Sequence, residues 1–462
     1  MAGSDVSRQA LPQGRLALLG LGVENRALAA WLARHGERFW VCDANPDLDT
    51  SHAEWISSVE GWRLGSDYLD SLHDFDVLFR SPGIHALHPR LCAAREAGVL
   101  VHSQTQLFLE RCTAFVVGVT GTKGKGTTSS LLASMLAAAG RTHRLAGNIG
   151  TPPISFVDDL SADEIIVLEL SSFQLQDLTC SPSAAILLPV GTDHLDVHVD
   201  RHEYIEAKAA ICSHQEKTDW VVSSASCETT QALAGRSSGH HYQFTETCDL
   251  SVDGVFVVDR QICWRTAGQQ SSIVATDVVP LKGLHNLANA CAAVAAAKIL
   301  GLDASQIEAG LRTFEPLPHR LEEVGTIGGV LFVNDSLGTT PVAAAAAIQT
   351  YADRGPVVIA GGASKGADFE IVGQALAQKA RALILLGEEG PKIAAAAERA
   401  GYAGAVVRAA NMQLAVSVAG SLAEEGGVVL LAPACASFGM FRDYAQRGEA
   451  FRQAVAELRT AG

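Results

Sequence analysis

The sequence predicts an α/β protein of three domains. Short apolar runs alternate with helix-length segments, that alternation restarts twice along the chain, and glycine-rich turns sit where strands meet helices. A length of 462 residues agrees, at about 150 residues per domain.

The first unit begins with a strand at Arg15–Leu19, a turn at Gly20-Leu-Gly22 and a helix over Arg26–His35. A second strand, Arg38–Cys42, runs to Asp43, and a third, Asp76–Phe79, enters the turn Ser81-Pro82-Gly83. This is the start of a doubly wound nucleotide-binding unit. A new strand at Ala114–Val119, a glycine-rich loop and a helix over Thr127–Ala139 place a boundary near residue 112. Strands Ile165–Leu170 and Ala184–Leu188 and a helix over Arg201–Ser213 continue that second unit. The stretch 219–278 reads as a small antiparallel appendage, followed by helices Leu284–Ile299 and Ala304–Thr313. Two prolines in Glu315-Pro-Leu-Pro318 mark a linker, because each restricts its own φ and the residue before it. Beyond it come strands Val330–Val333, Val357–Ala360, Ala382–Leu386 and Val428–Ala432, with helices Val342–Tyr351 and Asp368–Lys379. The expected domains are therefore 1–112, 113–316 and 317–462.

Composition narrows the function. Lys plus Arg number 35 against 50 Asp plus Glu, a net charge of −15, which argues against a nucleic-acid backbone binder. Apolar residues at 48% and charged residues at 18% suit a large core rather than disorder. No apolar run approaches the ~18 residues a membrane helix needs. The opening MAGSDVSRQALPQGR lacks a basic-then-apolar signal pattern, so a cytoplasmic location is expected. Ten cysteines are scattered with no C-x-x-C pair, which reads as buried small side chains rather than a disulfide scaffold or zinc site.

The sharpest motif is Gly118-Val-Thr-Gly121-Thr122-Lys123-Gly124-Lys125-Gly126-Thr127-Thr128. Backbone N–H groups of such a loop, with the helix that follows, point at phosphate oxygens, and a lysine beside them supplies the charge a β/γ-phosphate needs. The usual loop has Ser or Thr directly after this lysine to meet Mg²⁺; here Gly126 stands there, ahead of Thr127 and Thr128. Glu169 and His194 both follow strands, which places them at the carboxyl edge of an open sheet beside the loop, where a carboxylate suits Mg²⁺. Lys208 lies on the next helix, where spacing alone gives it no role beyond that of a solvated lysine. Gly20-Leu-Gly22 with Asp43 is a partial dinucleotide fingerprint, but Asn25 occupies the third glycine position and no second dinucleotide half follows.

Together these residues resemble the Mur ligase superfamily, most closely the UDP-N-acetylmuramoyl-L-alanine:glutamate ligases (the MurD family). The resemblance covers nearly the whole chain. It continues through Ser81-Pro-Gly-Ile84, Gly147-Asn148-Ile-Gly150, Glu169-Leu-Ser-Ser-Phe-Gln174, Asp193-His194-Leu-Asp196, His285-Asn286-Leu-Ala-Asn289, Leu317-Pro-His319-Arg320-Leu-Glu322, Asn334-Asp335-Ser336, Gly361-Gly-Ala-Ser-Lys365 and Pro433-Ala-Cys-Ala-Ser437. It implies an N-terminal Rossmann-like domain for the UDP end, a central P-loop ATPase domain and a C-terminal Rossmann-like domain that brings the amino acid. The implied reaction is ATP-dependent amide formation through an acyl phosphate, with UDP-N-acetylmuramoyl-L-alanine and glutamate as substrates, ATP and Mg²⁺ as cofactors, and a monomer as the working state.

By the same resemblance, Gly121, Thr122, Lys123, Gly124, Lys125, Gly126 and Thr127 hold ATP phosphates, and Thr127, Glu169 and His194 serve Mg²⁺. Lys208 matches a lysine the family carbamylates, which turns an ammonium into an anionic ligand for metal or water. Lys125, Glu169, His194 and Lys208 are thus the implied catalytic set. Asn286 and Asn289 fall to the adenine side, and Arg320 and Asp335 to phosphate and ribose. Gly20, Gly22, Ser81, Gly83 and Asn148 fall to the UDP-muramoyl substrate, and Thr339, Lys365 and Ser437 to the glutamate carboxylates. One departure stands out: Leu337 replaces the lysine common among D-glutamate-adding members, and Thr339-Thr340-Pro341 follows. D-glutamate is the expected amino acid, with an L-glutamate-adding branch and folylpolyglutamate synthase as alternatives. A nucleotide switch without chemistry fits less well, since it needs no second substrate pocket.

Overall fold

The computed structural model describes residues 14–48, 50, 53–148, 150–191, 200–247, 250, 252–315, 318–363 and 367–461. Three sheets are present among them, in two compact units that part between Phe314 and Glu315, with Leu281–Gly283 belonging to the second unit.

The first sheet is built from β1 (Leu16–Leu19), α1 (Val23–Arg34), β2 (Phe39–Asp43), β3 (Val59–Leu64), β4 (Val77–Arg80), α2 (Pro89–Glu96), β5 (Leu100–His102) and α3 (Gln104–Arg111). Its order is β3-β2-β1-β4-β5, all parallel. Chain order reverses between β1 and β4, so the loops after Leu19 and Arg80 open into one crevice. The sequence pattern missed β3, whose residues are half-buried or exposed and carry no continuous apolar run.

The central sheet follows in the same unit: β6 (Phe115–Thr120), α4 (Lys125–Ala138), β7 (His143–Gly147), β8 (Ile165–Glu169), α5 (Ser172–Leu175), β9 (Ala184–Leu187), α6 (Arg201–Ala209), β10 (Trp220–Ser224), α7 (Glu228–Ala234), β11 (His240–Phe244), β12 (Gly254–Val258), β13 (Gln261–Thr266), β14 (Gln269–Ala275), α8 (Leu284–Ile299) and α9 (Ala304–Thr313). Its order is β14-β13-β12-β11-β10-β9-β6-β8-β7. The stretch 219–278 is thus not an antiparallel appendage. β10, β11 and β12 extend the parallel sheet, and only β13 and β14 turn antiparallel at its edge. The expectation failed because β10 (WVVSS) and β11 (HHYQF) do not look like the apolar β6 and β8, although β10 is wholly buried. β6, β8 and β9 have near-continuous apolar runs because helices cover both faces of a parallel sheet. α4 lies against α8 and α9, burying Leu131, Leu132 and Leu136 completely, at about 1.5–3 kcal/mol each. Asp303 starts α9 with a capping box to Gln306.

The second unit carries β15 (Glu322–Ile327), β16 (Val330–Asn334), α10 (Pro341–Thr350), β17 (Val357–Gly362), α11 (Glu370–Lys379), β18 (Ala382–Gly387), α12 (Gly390–Arg399), β19 (Ala405–Arg408), α13 (Met412–Leu422), β20 (Val428–Leu431) and α14 (Tyr444–Ala461). The order is β15-β16-β20-β17-β18-β19, with only β15 antiparallel. β20, last in sequence, inserts between β16 and β17, so the chain ends after β16, β17 and β20 share one carboxyl edge. Nine of the ten cysteines lie among the described residues; all are free, and each is buried or half-buried, as expected of small core side chains. No helix of the described residues is long and apolar enough to cross a membrane.

Candidate active site

The phosphate loop leaves the buried end of β6 and enters α4, as its sequence requires. Gly124 is the N-cap of α4 at φ +85°, and a Cβ there would stand 2.1 Å from the Asn289 side-chain oxygen. Only glycine satisfies both constraints. Asn289 therefore packs on the loop itself, and its amide donates to Asn286 Oδ1 at 3.3 Å; both asparagines are buried on α8. Lys125 Nζ donates to the carbonyls of Gly121 and Thr122, each at 3.2 Å, so the cation lies over the loop. Thr122 is tied down by Gly191 N–H at 2.9 Å and by the Tyr204 hydroxyl at 3.0 Å.

Glu169 ends β8 one strand away, its register partner being Val119. It is 3% exposed, and burial pushes its carboxyl above the ordinary range, against the opposing pull of the Asn148 hydrogen bond and the Lys125 charge. Asn148 Nδ2 donates to Glu169 Oε1 at 2.8 Å, and Asn148 N–H to the Glu169 carbonyl at 2.9 Å. Lys208 is 1% exposed rather than solvated. Its ammonium donates to the Gly121 carbonyl at 3.1 Å and Thr120 Oγ1 at 3.5 Å, and lies 4.6 Å from the Tyr204 ring centroid. Tyr204, one helical turn before Lys208, thus touches both the loop and the lysine. Its i, i+4 spacing to Lys208 is the signal in the sequence that puts the two side chains on one helix face.

Lys125, Glu169, Asn148, Lys208, Asn286 and Asn289 therefore gather around one loop. Thr127 sits buried in the first turn of α4. His194 and Lys365 lie outside the described residues. For Mg²⁺, the buried Glu169 carboxylate and the Thr127 hydroxyl are hard oxygen donors of the right kind, and a cation would relieve the cost of keeping that carboxylate ionised. For a nucleotide, Gly121, Gly124 and Gly126 leave the loop without side chains, and Lys123 and Lys125 supply charge.

The crevice of the first sheet brings Gly20, Gly22 and Ser81 together. A Cβ on Gly20, at φ +75°, would lie 3.1 Å from Ser81 Cβ, and one on Gly22 would lie 3.4 Å from Ser81 Oγ. Gly83 is exposed on the adjoining turn. Asn25 Nδ2 donates to the carbonyls of Leu19, Gly20 and Phe79, which explains an asparagine where a dinucleotide loop has glycine. Asp43 Oδ2 accepts from Leu21 N–H at 2.6 Å, so this carboxylate holds the loop.

In the second unit, Asp335 follows β16 and is 1% exposed, with burial raising its carboxyl to about 6 despite Arg320 and Arg447 nearby. Arg320 Nη1 lies 3.6 Å from Asp335 Oδ1, which also accepts Leu321 N–H at 3.1 Å. These two residues, assigned separately to phosphate and ribose, form one pair. Thr339 precedes α10, half-buried, and Ser437 follows β20, buried, in the loop bridged to Ala363 through Ala436. Arg447 of α14, unremarked in the sequence, holds this edge together. It donates to Ser336 Oγ at 3.0 Å, the Ser336 carbonyl at 2.8 Å and the Cys435 carbonyl at 3.1 Å. Burial pushes its guanidinium down to about 10. It lay 111 residues from Ser336, and no local pattern pointed to it.

Residues 119–297 match the Mur ligase middle domain, and 319–435 the Mur ligase glutamate ligase domain. The UDP-N-acetylmuramoylalanine–D-glutamate ligase of Symbiobacterium thermophilum is 39% identical over 96% of this chain and 98% of its own. The enzyme of the same name from Acetivibrio thermocellus is 34% identical over 96% of each chain. The chain belongs to this family of Mur ligases. The crystal structure of MurF ligase from Thermotoga maritima in complex with ADP has the same fold at 17% identity, with a TM-score of 0.58 over 98% of this chain and 97% of that one. The three-domain α/β architecture of the Mur ligases is thus the fold of this protein.

Proposed function

We propose that this Mur ligase joins D-glutamate to UDP-N-acetylmuramoyl-L-alanine at the expense of ATP, in the synthesis of peptidoglycan precursors. The observation that carries the reading is the convergence of Lys125, Glu169 and Lys208 on one glycine-rich loop, in a chain similar over nearly its full length to enzymes of that name. The domains are assigned as 1–112 for the UDP substrate, 113–316 for ATP and 317–462 for glutamate. A cytoplasmic monomer suits such small, soluble substrates.

The chemistry is an ordered exchange of bonds. An acceptor carboxylate oxygen bonds to the γ-phosphorus while the bond to the β–γ bridging oxygen breaks, giving an acyl phosphate and ADP. The glutamate amine then bonds to the acyl carbon, loses a proton, and expels phosphate. Every early participant is anionic, so cations must offset the repulsion. Lys125 and the loop amides hold the β- and γ-phosphates. Thr127, Glu169 and His194 are assigned to Mg²⁺, which when bound neutralises phosphate charge and polarises the γ-phosphoryl group. Lys208 is assigned to carbamylation, in which its nitrogen bonds to the carbon of CO₂ and gives up protons, leaving an anionic oxygen ligand beside the loop. Asn148, with Gly20, Gly22 and Ser81, orients the acceptor. Asn286, Asn289, Arg320 and Asp335 serve the nucleotide, and Thr339, Lys365 and Ser437 the glutamate carboxylates.

The test is phosphate release with ATP, Mg²⁺ and UDP-N-acetylmuramoyl-L-alanine, with D- or L-glutamate in parallel. Release with D-glutamate is expected. Release with L-glutamate alone would assign the chain to the other branch, with Leu337 as the suspect position, and silence with both would reject the reading.

A further inference from the structure

Arg80 is the last residue of β4, and its side chain is completely buried. Its guanidinium reaches in two directions. On one side it donates to the carbonyls of Ile84 and, at 3.3 Å, Ser81, which frame the turn that closes the acceptor crevice. On the other it donates to the Asp177 carboxylate and, at 2.7 Å, to the Phe173 carbonyl of α5. Asp177 is itself 3% exposed and takes a second guanidinium, Arg95 Nη2, at 2.8 Å. Arg95 Nη1 returns to the Ala86 carbonyl at 2.6 Å.

α5 is the turn of helix directly after Glu169. It is held from a second side too: Gln174 Nε2 donates to Glu24 Oε1 at 2.7 Å, and Glu24 lies in the first turn of α1, just beyond the Gly20–Gly22 loop. Gln174 Oε1 in turn accepts from Ser171 N–H and hydroxyl, at 2.8 and 2.9 Å, two residues past Glu169. From the far end of α5, Gln176 Nε2 donates to Glu203 at 2.6 Å on α6, the helix that bears Lys208. Both lips of the first-sheet crevice are therefore tied to the short helix between Glu169 and Lys208.

A buried ion pair is a costly way to hold two sheets together, since apolar side chains of similar volume do it as well or better. What the pair adds is direction. A guanidinium fork fixes distance and angle to each acceptor, which packing alone leaves softer. Phosphoryl transfer demands that control, because reacting atoms must be held about 3–3.5 Å apart and in line.

We infer that Arg80 and Asp177, supported by Arg95 and by Gln174 with Glu24, are positioning residues that set the spacing between the acceptor-binding turn and the phosphoryl-transfer site. The inference rests on the proposed ligase reading. It assigns this buried network to the first chemical step.

The experiment compares wild type with Asp177→Asn and Arg95→Ala. It reads kcat and KM for the acceptor and for ATP, direct binding of ADP and acceptor by calorimetry, and amide exchange in 81–84 and 172–176. For Asp177→Asn the expected result is a loss of about 100-fold in kcat with both dissociation constants within about threefold, and faster exchange in the two segments together. Arg95→Ala removes only the partly exposed partner and should lose about fivefold in kcat by the same mechanism. A purely structural role would lower the melting temperature and leave kcat intact below it. Unchanged kcat in either folded variant, or a loss confined to acceptor binding, overturns the inference. If Asp177→Asn does not fold, Arg95→Ala decides. If wild type fails to turn over this acceptor, the ligase reading falls. Exchange then decides the clamp: a change at Asp177 that leaves 81–84 unaffected overturns it as well.

Discussion

Two glycine-rich turns in this chain use the same backbone device and different charges. The turn after β1 and the turn after β6 each leave a buried parallel strand and enter a helix whose N-terminal amides face outward. The first is braced by Asp43 and Asn25 and carries Glu24 in its helix. The second carries Lys123 and Lys125 and is backed by Lys208 and Glu169. On the assignment proposed above, the backbone suits each turn to a phosphate-bearing group. The side chains decide whether that group is merely held or also activated. A held diphosphate needs neutral donors, whereas a phosphoryl group in transfer needs cations and a metal.

The comparison breaks most readily at Lys125. Lys125→Ala is expected to lower turnover about 10³-fold with the fold intact, measured as phosphate release and circular dichroism. Normal turnover would make the two turns equivalent. Lys208→Ala should lose activity on a similar scale, and added bicarbonate should not restore it.

The third sheet offers a parallel, since its edge also carries a buried carboxylate, Asp335, whose proton affinity burial raises although Arg320 and Arg447 lie near it. The folded group binds its proton up to about pH 6, against 3.8 for the ordinary carboxyl. Its ionisation therefore opposes folding, and this contribution to stability falls as pH rises from about 4 to 6, by on the order of 3 kcal/mol in all. Asp335→Asn should raise the melting temperature at pH 8 and change it little at pH 4, while activity falls. Equal shifts at both pH values would remove the burial argument.

Smaller effects test the backbone device itself. Gly124→Ala meets Asn289 at 2.1 Å in a left-handed conformation, so a cost of about 2 kcal/mol and weakened ADP binding are expected by thermal melting and calorimetry. Asp43→Asn keeps an acceptor for Leu21 N–H but loses its charge, and should cost about 1 kcal/mol with a modest rise in acceptor KM. An effect on ATP rather than acceptor would mean that the two turns are not separate in function.

Much of this was readable along the chain. α8 and α9 have the bounds expected from periodicity, because capping signals and apolar spacing are local. The phosphate loop was readable for the same reason: strand, glycines, lysine and helix lie within a dozen residues. Elements with weak apolar contrast escaped, among them β3, α2 and α14, whose partners lie elsewhere in the sequence. Lys208 shows the boundary between the two cases. Its residue type and helix were evident, yet its burial over Gly121 depends on β6 and α6 meeting 87 residues apart.

The sequence by itself determined the α/β class, the three-part organisation, the phosphate loop and the identity of the chemical groups, because period, turn chemistry and residue type are properties of short segments. Tertiary structure alone decided the parallel placement of β10 to β12, the pairing of Arg320 with Asp335, the service of Asp43 to its own loop, and the buried grip of Arg80 and Arg447 on distant turns. Those outcomes depend on strand order and on which polar groups lose their water together. The free energy of burying a charge is set by every neighbour that the fold brings to it.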